Sequence, residues 1–526
     1  MHDVGSTRFE RWGAIAAGVI AIGAGLGAGS FAAGLFDAPA PLTALATSVI
    51  DHAPRPIERW AIDQFGTNDK LVLAWSVVVV LAVCGAFVGN RARAKRSVAL
   101  MAAFVLAAIG AFITLIGRTG GLIALLPVFV AAAAGWAVLW SLLLALDPFR
   151  SGKRKTTEPL APVLDRRRFI GLGSASAVGG LVLQRAGANL GVQGLDDRAR
   201  LKAASKVASE VGASARSVPP VPVGADLGVE GVAPWRVPNS NFYRIDTAFV
   251  VPRLKADDWK LKIGGMVRQQ RVYTYEDLLK RANLSRDVTL MCVSNEVGGN
   301  LVGNAHFQGV RLSELLDECG VLPGVEQVFS QSADGWNCGF PVDVAMDGRD
   351  AMVAVFMNGE PLPYDHGFPA RLVVPGIYGY VSATKWLTQI ELLKWADADG
   401  YWIPRGWSRL GPVKTSSRID VPRGFATVKR GPVVLGGVGW AQHRGIDKVE
   451  VQFDLGDWVE ATLAADGGID TWRQWTYTWD ASKAEPGNHL IRVRATDRTG
   501  ALQLEEPVPV APDGAEGFHS IRVKVV

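Results

Sequence analysis

Cys292 sits in the polar, glycine-rich run Met291-Cys292-Val293-Ser294-Asn295-Glu296-Val297-Gly298-Gly299-Asn300. A thiolate is a soft ligand, and in such a loop it points to a metal. The chain has only four cysteines, Cys84, Cys292, Cys319 and Cys338, with no CxxC pair and no cysteine or histidine at zinc-finger spacing. Neither a zinc site nor a disulfide framework follows from that set. A lone thiolate site needs a metal that arrives with its other ligands. The competing reading is a buried free cysteine acting as a small hydrophobe.

The elements that must position this loop fall into two contrasting parts. At 526 residues the chain exceeds one ordinary domain; its first third is almost purely aliphatic and the rest is charged, tryptophan-rich and punctuated by glycine. Four nearly charge-free stretches, about residues 12–36, 71–89, 98–117 and 122–146, are long enough to cross a hydrocarbon core as helices. A shorter, glycine- and serine-rich stretch at 169–183 is expected to be a fifth span. The net charge of +5 does not indicate nucleic acid, because the basic residues cluster beside these stretches and no DNA-reading motif accompanies them.

Arg91, Arg93, Lys95 and Arg96 follow the second stretch, and Arg150, Lys153, Arg154, Lys155, Arg166, Arg167 and Arg168 precede the fifth, whereas the loop after the third carries Arg118 alone. By the positive-inside rule the N-terminus and both basic segments are cytoplasmic, and five crossings leave everything after about residue 188 outside. Asp165-Arg166-Arg167-Arg168-Phe169-Ile170-Gly171 resembles an internal twin-arginine export signal; the plain alternative is a set of arginines anchoring a helix end. All seven histidines lie outside the stretches, which excludes a haem held by two intramembrane histidines. No acid or base lies deep in the first four to mark an ion path, so an anchor or docking platform is the expected role.

Residues 1–187 are thus expected to form the membrane region, 188–237 a linker with a helical piece near 198–211, 238–405 an α+β domain, and 406–526 an immunoglobulin-like β-sandwich. In the α+β part, strand patterns at 259–263, 288–292, 351–357 and 371–374 alternate with helical ones at 274–281 and 312–319. The last block alternates strand-like runs with Asp466-Gly467, Pro486-Gly487 and Thr499-Gly500 turns, and its tryptophans read as core or interface.

Four ordered segments together resemble the sulfite-oxidase-type molybdopterin oxidoreductases. Thr289 to Asn295 is similar to the family's cysteine loop, His366-Gly367-Phe368-Pro369-Ala370-Arg371-Leu372-Val373-Val374-Pro375-Gly376 to its pterin-phosphate clamp, Asn239-Ser240-Asn241-Phe242-Tyr243-Arg244 to its entry segment, and Tyr378 to Trp386 to the loop closing over the cofactor's far end. The resemblance covers nearly all of 238–526. It implies an enzyme with a molybdenum-molybdopterin cofactor, Cys292 as metal ligand, and Asn239, Asn241, Tyr243, Arg244, Ser332, His366, Arg371, Ala383, Thr384 and Lys385 around the pterin. Chemistry agrees: the Arg371 fork, Lys385 and backbone amides of glycine-rich loops are donors for an anionic phosphate.

The catalytic set so implied is Cys292, Arg244, Tyr243 and Glu296. Sulfite oxidases follow the cysteine-loop asparagine with two arginines; here Asn295 is followed by Glu296-Val297, and an acid repels sulfite where an arginine attracts it. Arg244 can still supply positive charge. Glu296 reads equally as a substrate-side acid or as a loop-structuring carboxylate. The sulfoxide-reducing bacterial branch shares the Asn-Phe-Tyr entry segment but commonly lacks the C-terminal sandwich. The expectation is two-electron oxygen-atom transfer on a small sulfur oxyanion or a sulfoxide, outside a bacterial cell membrane. Electrons would be exchanged with a separate cytochrome or quinone-linked carrier, since no haem or iron–sulfur motif is present. A homodimer through the sandwich is implied by the resemblance alone. The alternative is a multi-pass membrane protein with a cofactor-free outer binding domain.

Overall fold

The computed structural model describes residues 4–65, 69–117, 121–146, 161–190, 197–210 and 218–526. They form two units, residues 1–196 with 247–253 and residues 197–246 with 254–526. Arg118, Arg150, Lys153, Arg154 and Lys155, used above for orientation, lie outside the described residues.

The first unit is helical: α1 (Val4–Leu35), α2 (Pro41–His52), α3 (Arg55–Phe65), α4 (Asp69–Ala94), α5 (Ser97–Ile116), α6 (Leu125–Ala145) and α7 (Ala161–Ala188). Four helices, α1, α4, α5 and α6, are long and apolar enough to cross a membrane. A helix satisfies its own backbone, which lipid requires. The fifth expected span is helical within α7, but α7 is not among those four. Its apolar stretch is short and diluted by glycine and serine, and Arg167 and Arg168 stand inside the helix rather than ahead of it. Helices α2 and α3 were not expected, being too short for the span criterion.

Of the four, α1 is the most enclosed. Its glycines allow neighbours to approach: a β-carbon on Gly18 or Gly27 would collide with the carbonyls of Gly85 in α4 and Gly180 in α7, and one on Gly25 would lie 2.6 Å from the Ala131 carbonyl of α6. Small residues replace burial as the means of helix association where both partners are apolar.

The second unit begins with α8 (Asp197–Glu210), whose buried Arg200 donates to the Leu362 carbonyl at 2.9 Å. Residues 218–237, expected to be a free tether, are packed. Trp235 is fully buried and its carbonyl accepts from Asn304 Nδ2 at 2.9 Å and Trp472 Nε1 at 2.8 Å. Pro and Gly spacing gave no hint of this, because the anchor is a single tryptophan.

The α+β part holds two sheets. One runs β2 (Arg271–Thr274), β1 (Lys260–Gly265), β10 (Leu387–Leu393), β5 (Gln327–Ser332), β6 (Asn337–Pro341), with β1 and β10 parallel and Ile263 beside Ile390. The other runs β3 (Leu284–Met291), β4 (Val302–Arg311), β7 (Met352–Met357), β8 (Glu360–Pro361), with β9 (Arg371–Val373) also pairing β7. Every residue of β7 is buried, as its unbroken apolar run requires. Between strands lie α9 (Tyr275–Arg281), α10 (Leu312–Cys319), α11 (Val342–Met346) and α12 (Gly379–Ser382). Helix α9 opens on a capping box from Thr274 and Asp277, which accounts for its N-terminal acids.

The C-terminal region is β-rich: β11 (Ser416–Val421), β13 (Pro432–Trp440), β17 (Arg473–Asp480), β16 (Thr462–Leu463) in one sheet, and β12 (Thr427–Val428), β19 (His519–Val525), β18 (Gly487–Asp497), β14 (Ile446–Phe453), β15 (Trp458–Glu460) in the other. Leu435 and Trp475 of the first sheet share one apolar core with Val449, Val451, Ile491 and Val493 of the second. Trp440, Trp472 and Trp475 are core residues, as expected.

Candidate active site

Cys292 is the first residue after β3, an edge strand whose outer side is not left bare. The Thr289 N–H donates to the Asp470 carbonyl at 2.9 Å, and the Trp472 N–H to Thr289 Oγ1 at 2.8 Å, so the C-terminal region covers the edge. The loop then closes on itself: Cys292 N–H to the Leu301 carbonyl at 2.9 Å, Asn295 N–H to the Cys292 carbonyl at 3.1 Å, and Leu301 N–H to Asn295 Oδ1 at 2.6 Å. Behind it, Arg418 donates to the Gly299 carbonyl at 2.7 Å. Gly298, at φ +78°, lies so close to the His519 ring that no β-carbon fits. The thiol is thus held by backbone bonds on both sides. Burial pushes it up, against donation from Ser294 and the charge of Lys385.

The clamp motif brings three cationic or ionisable groups toward that thiol. His366 ends a short 3₁₀ turn, with Nε2 at 3.0 Å from the Asn239 carbonyl and its ring edge-on to Phe242 at 5.5 Å. Burial drives it down to about 4, so at neutral pH the ring is uncharged and Nε2–H donates. Arg371 opens β9 and is 5% exposed, yet it has only two long bonds, to the His366 and Leu372 carbonyls, both at 3.3 Å. Burial lowers it to about 10, which leaves it cationic, and among the described residues no carboxylate pairs with it. Lys385 donates to Asp246 at 2.8 Å and to the Asp365 carbonyl at 3.1 Å, and burial brings it to about 8. Gly367 lets these chains meet: at φ +109°, its β-carbon would stand 3.0 Å from Lys385 Cα and 3.1 Å from Arg371 Cβ.

Tyr243 is raised well above the ordinary phenol range, first by burial and then by Cys292, with Arg371 opposing. Through these shared fields Cys292, Tyr243, Arg371 and Lys385 form one cluster. Arg244 joins at its edge, but its charge is already engaged by Asp246 at 2.9 Å and Asp365 at 3.2 Å.

Other expected residues are placed differently. The Asn239 side chain is used within the protein, donating to Glu360 Oε1 at 2.6 Å and accepting from Asn358 at 2.8 Å, because it fastens the entry segment. Asn241 is exposed and accepts from Ser240 at 2.7 Å. The Thr384 hydroxyl points away into a buried network with Ser330 at 2.7 Å and Cys338 at 3.2 Å, so its side chain is not offered to the cluster. Ala383 contributes no polar side chain, and its N–H is spent on the Gly379 carbonyl at 3.0 Å. Ser332 is buried, its N–H bonded to the Trp336 carbonyl at 2.8 Å. Glu296 is exposed and, among the described residues, its carboxylate has no hydrogen bond to the cluster. Sequence reading missed Asp246 and Asp365, which balance Arg244 and Lys385; an acid two residues after Arg244 was the only local signal.

The neutral donor His366 governs a pH response. An unfolded histidine binds a proton below its ordinary 6.5, while the folded His366 takes one only near 4. Its stabilising contribution is therefore complete above about pH 6.5 and is lost as pH falls toward 4, up to about 3 kcal/mol over that window. In denaturant titrations at pH 7 and pH 4.5, His366→Gln is expected to show a smaller acid loss than the unmodified chain.

Residues 248–402 match the family model "Oxidoreductase molybdopterin binding domain". The mitochondrial sulfite oxidase of Drosophila melanogaster is 27% identical over 343 residues, 55% of this chain and 59% of the relative. Nitrate reductase [NADH] 1 of Arabidopsis thaliana is 31% identical over 180 residues, 29% of this chain and 19% of that one. The solved structure of the sulfane dehydrogenase SoxCD from Paracoccus pantotrophus aligns with 26% identity and a TM-score of 0.49, covering 56% of this chain and 82% of that one. The chain spans about 59% of the length of the sulfite oxidases it matches. A buried guanidinium with no carboxylate partner among the described residues, in one cluster with a lysine and a buried thiol, fits a cofactor that carries both an anion and a thiophilic metal. The matched domain and that donor set make residues 248–402 an oxidoreductase molybdopterin-binding domain of the sulfite-oxidase type, whose cofactor is molybdenum-molybdopterin.

Proposed function

We propose that this enzyme transfers an oxygen atom, with two electrons, to or from a small sulfur compound on the outer side of a bacterial cytoplasmic membrane. The single observation behind the assignment of residues is the buried, carboxylate-free Arg371 in the same electrostatic cluster as Cys292. In this reading Cys292 ligates the metal, Arg371 and Lys385 hold the pterin's anionic end, and neutral His366 fixes the Asn239–Arg244 segment beside it. The molybdenum centre supplies the oxygen-atom transfer when bound; the protein orients it and shapes access. Asn241, Ser332 and the backbone of Ala383 and Thr384 complete the pterin wall.

Substrate charge is the point on which the site's polar groups bear. Arg244 is shared between Asp246 and Asp365, and Glu296 stands exposed on the cysteine loop, so the approach offers little net positive charge to a dianion. That favours an uncharged sulfoxide over sulfite. Tyr243, held protonated by burial, is a donor for a sulfoxide or sulfur-bound oxygen.

The four apolar helices and the stretch at 169–183 within α7 serve as five membrane spans, with the basic flanks inside, Asp165–Gly171 as an internal twin-arginine-type signal, and the soluble unit outside. The two C-terminal sheets around one core support the immunoglobulin-like reading, and with it a homodimer through that region. Electrons pass to or from a separate carrier.

A substrate panel tests the reading: purified chain from a cofactor-competent host, assayed with sulfite and an electron acceptor, and with methyl sulfoxides and an electron donor. Turnover is expected with sulfoxides and to be at least about tenfold lower with sulfite, the effect of one lost charge-assisted contact. Absence of molybdenum from the unmodified protein, or turnover with neither substrate class, defeats the proposal.

A further inference from the structure

The membrane unit has a partly open apolar cavity of about 190 Å³ lined by α1, α2, α4, α5 and α6. No charged side chain lines it. Trp136 of α6 is one of its walls, and the indole Nε1 of that residue is buried with no acceptor among the described residues. Thr114 of α5 also lines the cavity; its hydroxyl spends its proton on the Gly110 carbonyl at 2.8 Å and keeps its oxygen as an acceptor.

Size, polarity and the unpartnered indole N–H restrict what can fill this space; the other donor in the lining is the weak thiol of Cys84. An apolar cavity of about 150 Å³ is enough for a benzene ring, so this one admits a single six-membered ring and excludes a bulky polar molecule. A water needs two to four polar partners to stay in such a site, and few are present. An unpaired indole N–H in a helix bundle is nevertheless costly, and an acceptor oxygen on an otherwise apolar ligand removes that cost. A ring that is apolar on its faces and carries a carbonyl meets all of these demands. Acyl chains fill apolar space equally well but carry no acceptor along their hydrocarbon for the indole N–H.

We propose that this cavity binds the carbonyl-bearing ring of a prenylated quinone, with the Trp136 N–H donating to a quinone oxygen. The inference rests on the reading of α1 and α4–α6 as membrane spans and concerns binding alone. Ala132 of α6 and Ala103 of α5 are among the small side chains that keep the space open.

The full chain, reconstituted in phosphatidylcholine nanodiscs containing a one-isoprene benzoquinone, is re-isolated and its bound quinone quantified, for the unmodified protein, Trp136→Phe and Ala132→Phe. Expected are about one quinone per chain for the unmodified protein, a roughly 3- to 10-fold weaker affinity for Trp136→Phe, which loses one hydrogen bond, and no retention for Ala132→Phe, which fills the cavity. Molybdenum content checks that each variant is assembled. A chain that resists carbonate extraction from membranes yet retains no quinone, or retains it equally in all three forms, overturns the proposal while leaving the spans intact. Recovery of phospholipid in place of quinone overturns it too. Release of the unmodified chain by carbonate overturns the membrane reading with it.

Discussion

Arg371→Met is expected to retain less than a tenth of the molybdopterin of the unmodified protein and, with the cofactor absent, to resist denaturant better by about 1–4 kcal/mol. The two effects have one cause. A guanidinium is enclosed at 5% exposure with two 3.3 Å bonds to carbonyls and no carboxylate, so the empty protein bears the cost of burying an uncompensated cation. Methionine fills a similar volume without charge and lies against the same Phe307 ring, whose centre is 5.9 Å from the guanidinium carbon. What it removes is the planar fork that an anionic group engages with two parallel bonds. The measurements are pterin and molybdenum content after purification and denaturant midpoints of cofactor-free protein. If Arg371→Met unfolds more easily when empty and keeps its cofactor, Arg371 is a structural cation and the clamp assignment fails.

Lys385 cannot substitute for that loss. Its ammonium is already bonded to Asp246 at 2.8 Å, a carboxylate it shares with Arg244. Among the clamp residues, one cation is thus balanced within the protein and one is left for a ligand.

This distinction was not legible in the sequence, although the residues were. Motif spacing located Cys292, His366, Arg371 and Lys385, because each lies in a short run whose composition is itself unusual. Which groups neutralise which depends on contacts across long separations, such as Asp246 with Lys385, 139 residues apart. The same limit explains Thr384: a hydroxyl next to Lys385 reads as a ligand contact, but it is bonded to Ser330 and Cys338, 54 and 46 residues away along the chain. For the fold, the buried run of β7 and the capped start of α9 followed from local pattern. The parallel partnership of β1 with β10 and the docking of Trp235 did not, since neither leaves a periodic trace in nearby residues.

Cys292→Ser is expected to lower turnover by a factor on the order of 10³ or more while cofactor retention falls far less than in Arg371→Met. Serine replaces sulfur by oxygen and changes almost nothing else, because the loop is fixed by backbone bonds from Cys292 to Leu301 and from Asn295 to Cys292, together with the Asn295 side chain. Stability should therefore stay within about 1 kcal/mol of the unmodified protein. A hydroxyl at this buried position remains protonated at neutral pH, so it offers a poor, hard ligand where a soft thiolate is required. The two variants separate the two tasks proposed for the site, holding the anionic end at Arg371 and ligating the metal at Cys292. Pterin content, thermal midpoint and loss of thiolate-to-metal charge-transfer absorption in Cys292→Ser read out the three arms independently. A Cys292→Ser protein that turns over normally, or that loses its pterin as completely as Arg371→Met, would remove Cys292 from the metal and leave it as the buried small hydrophobe that its 9% exposure also allows.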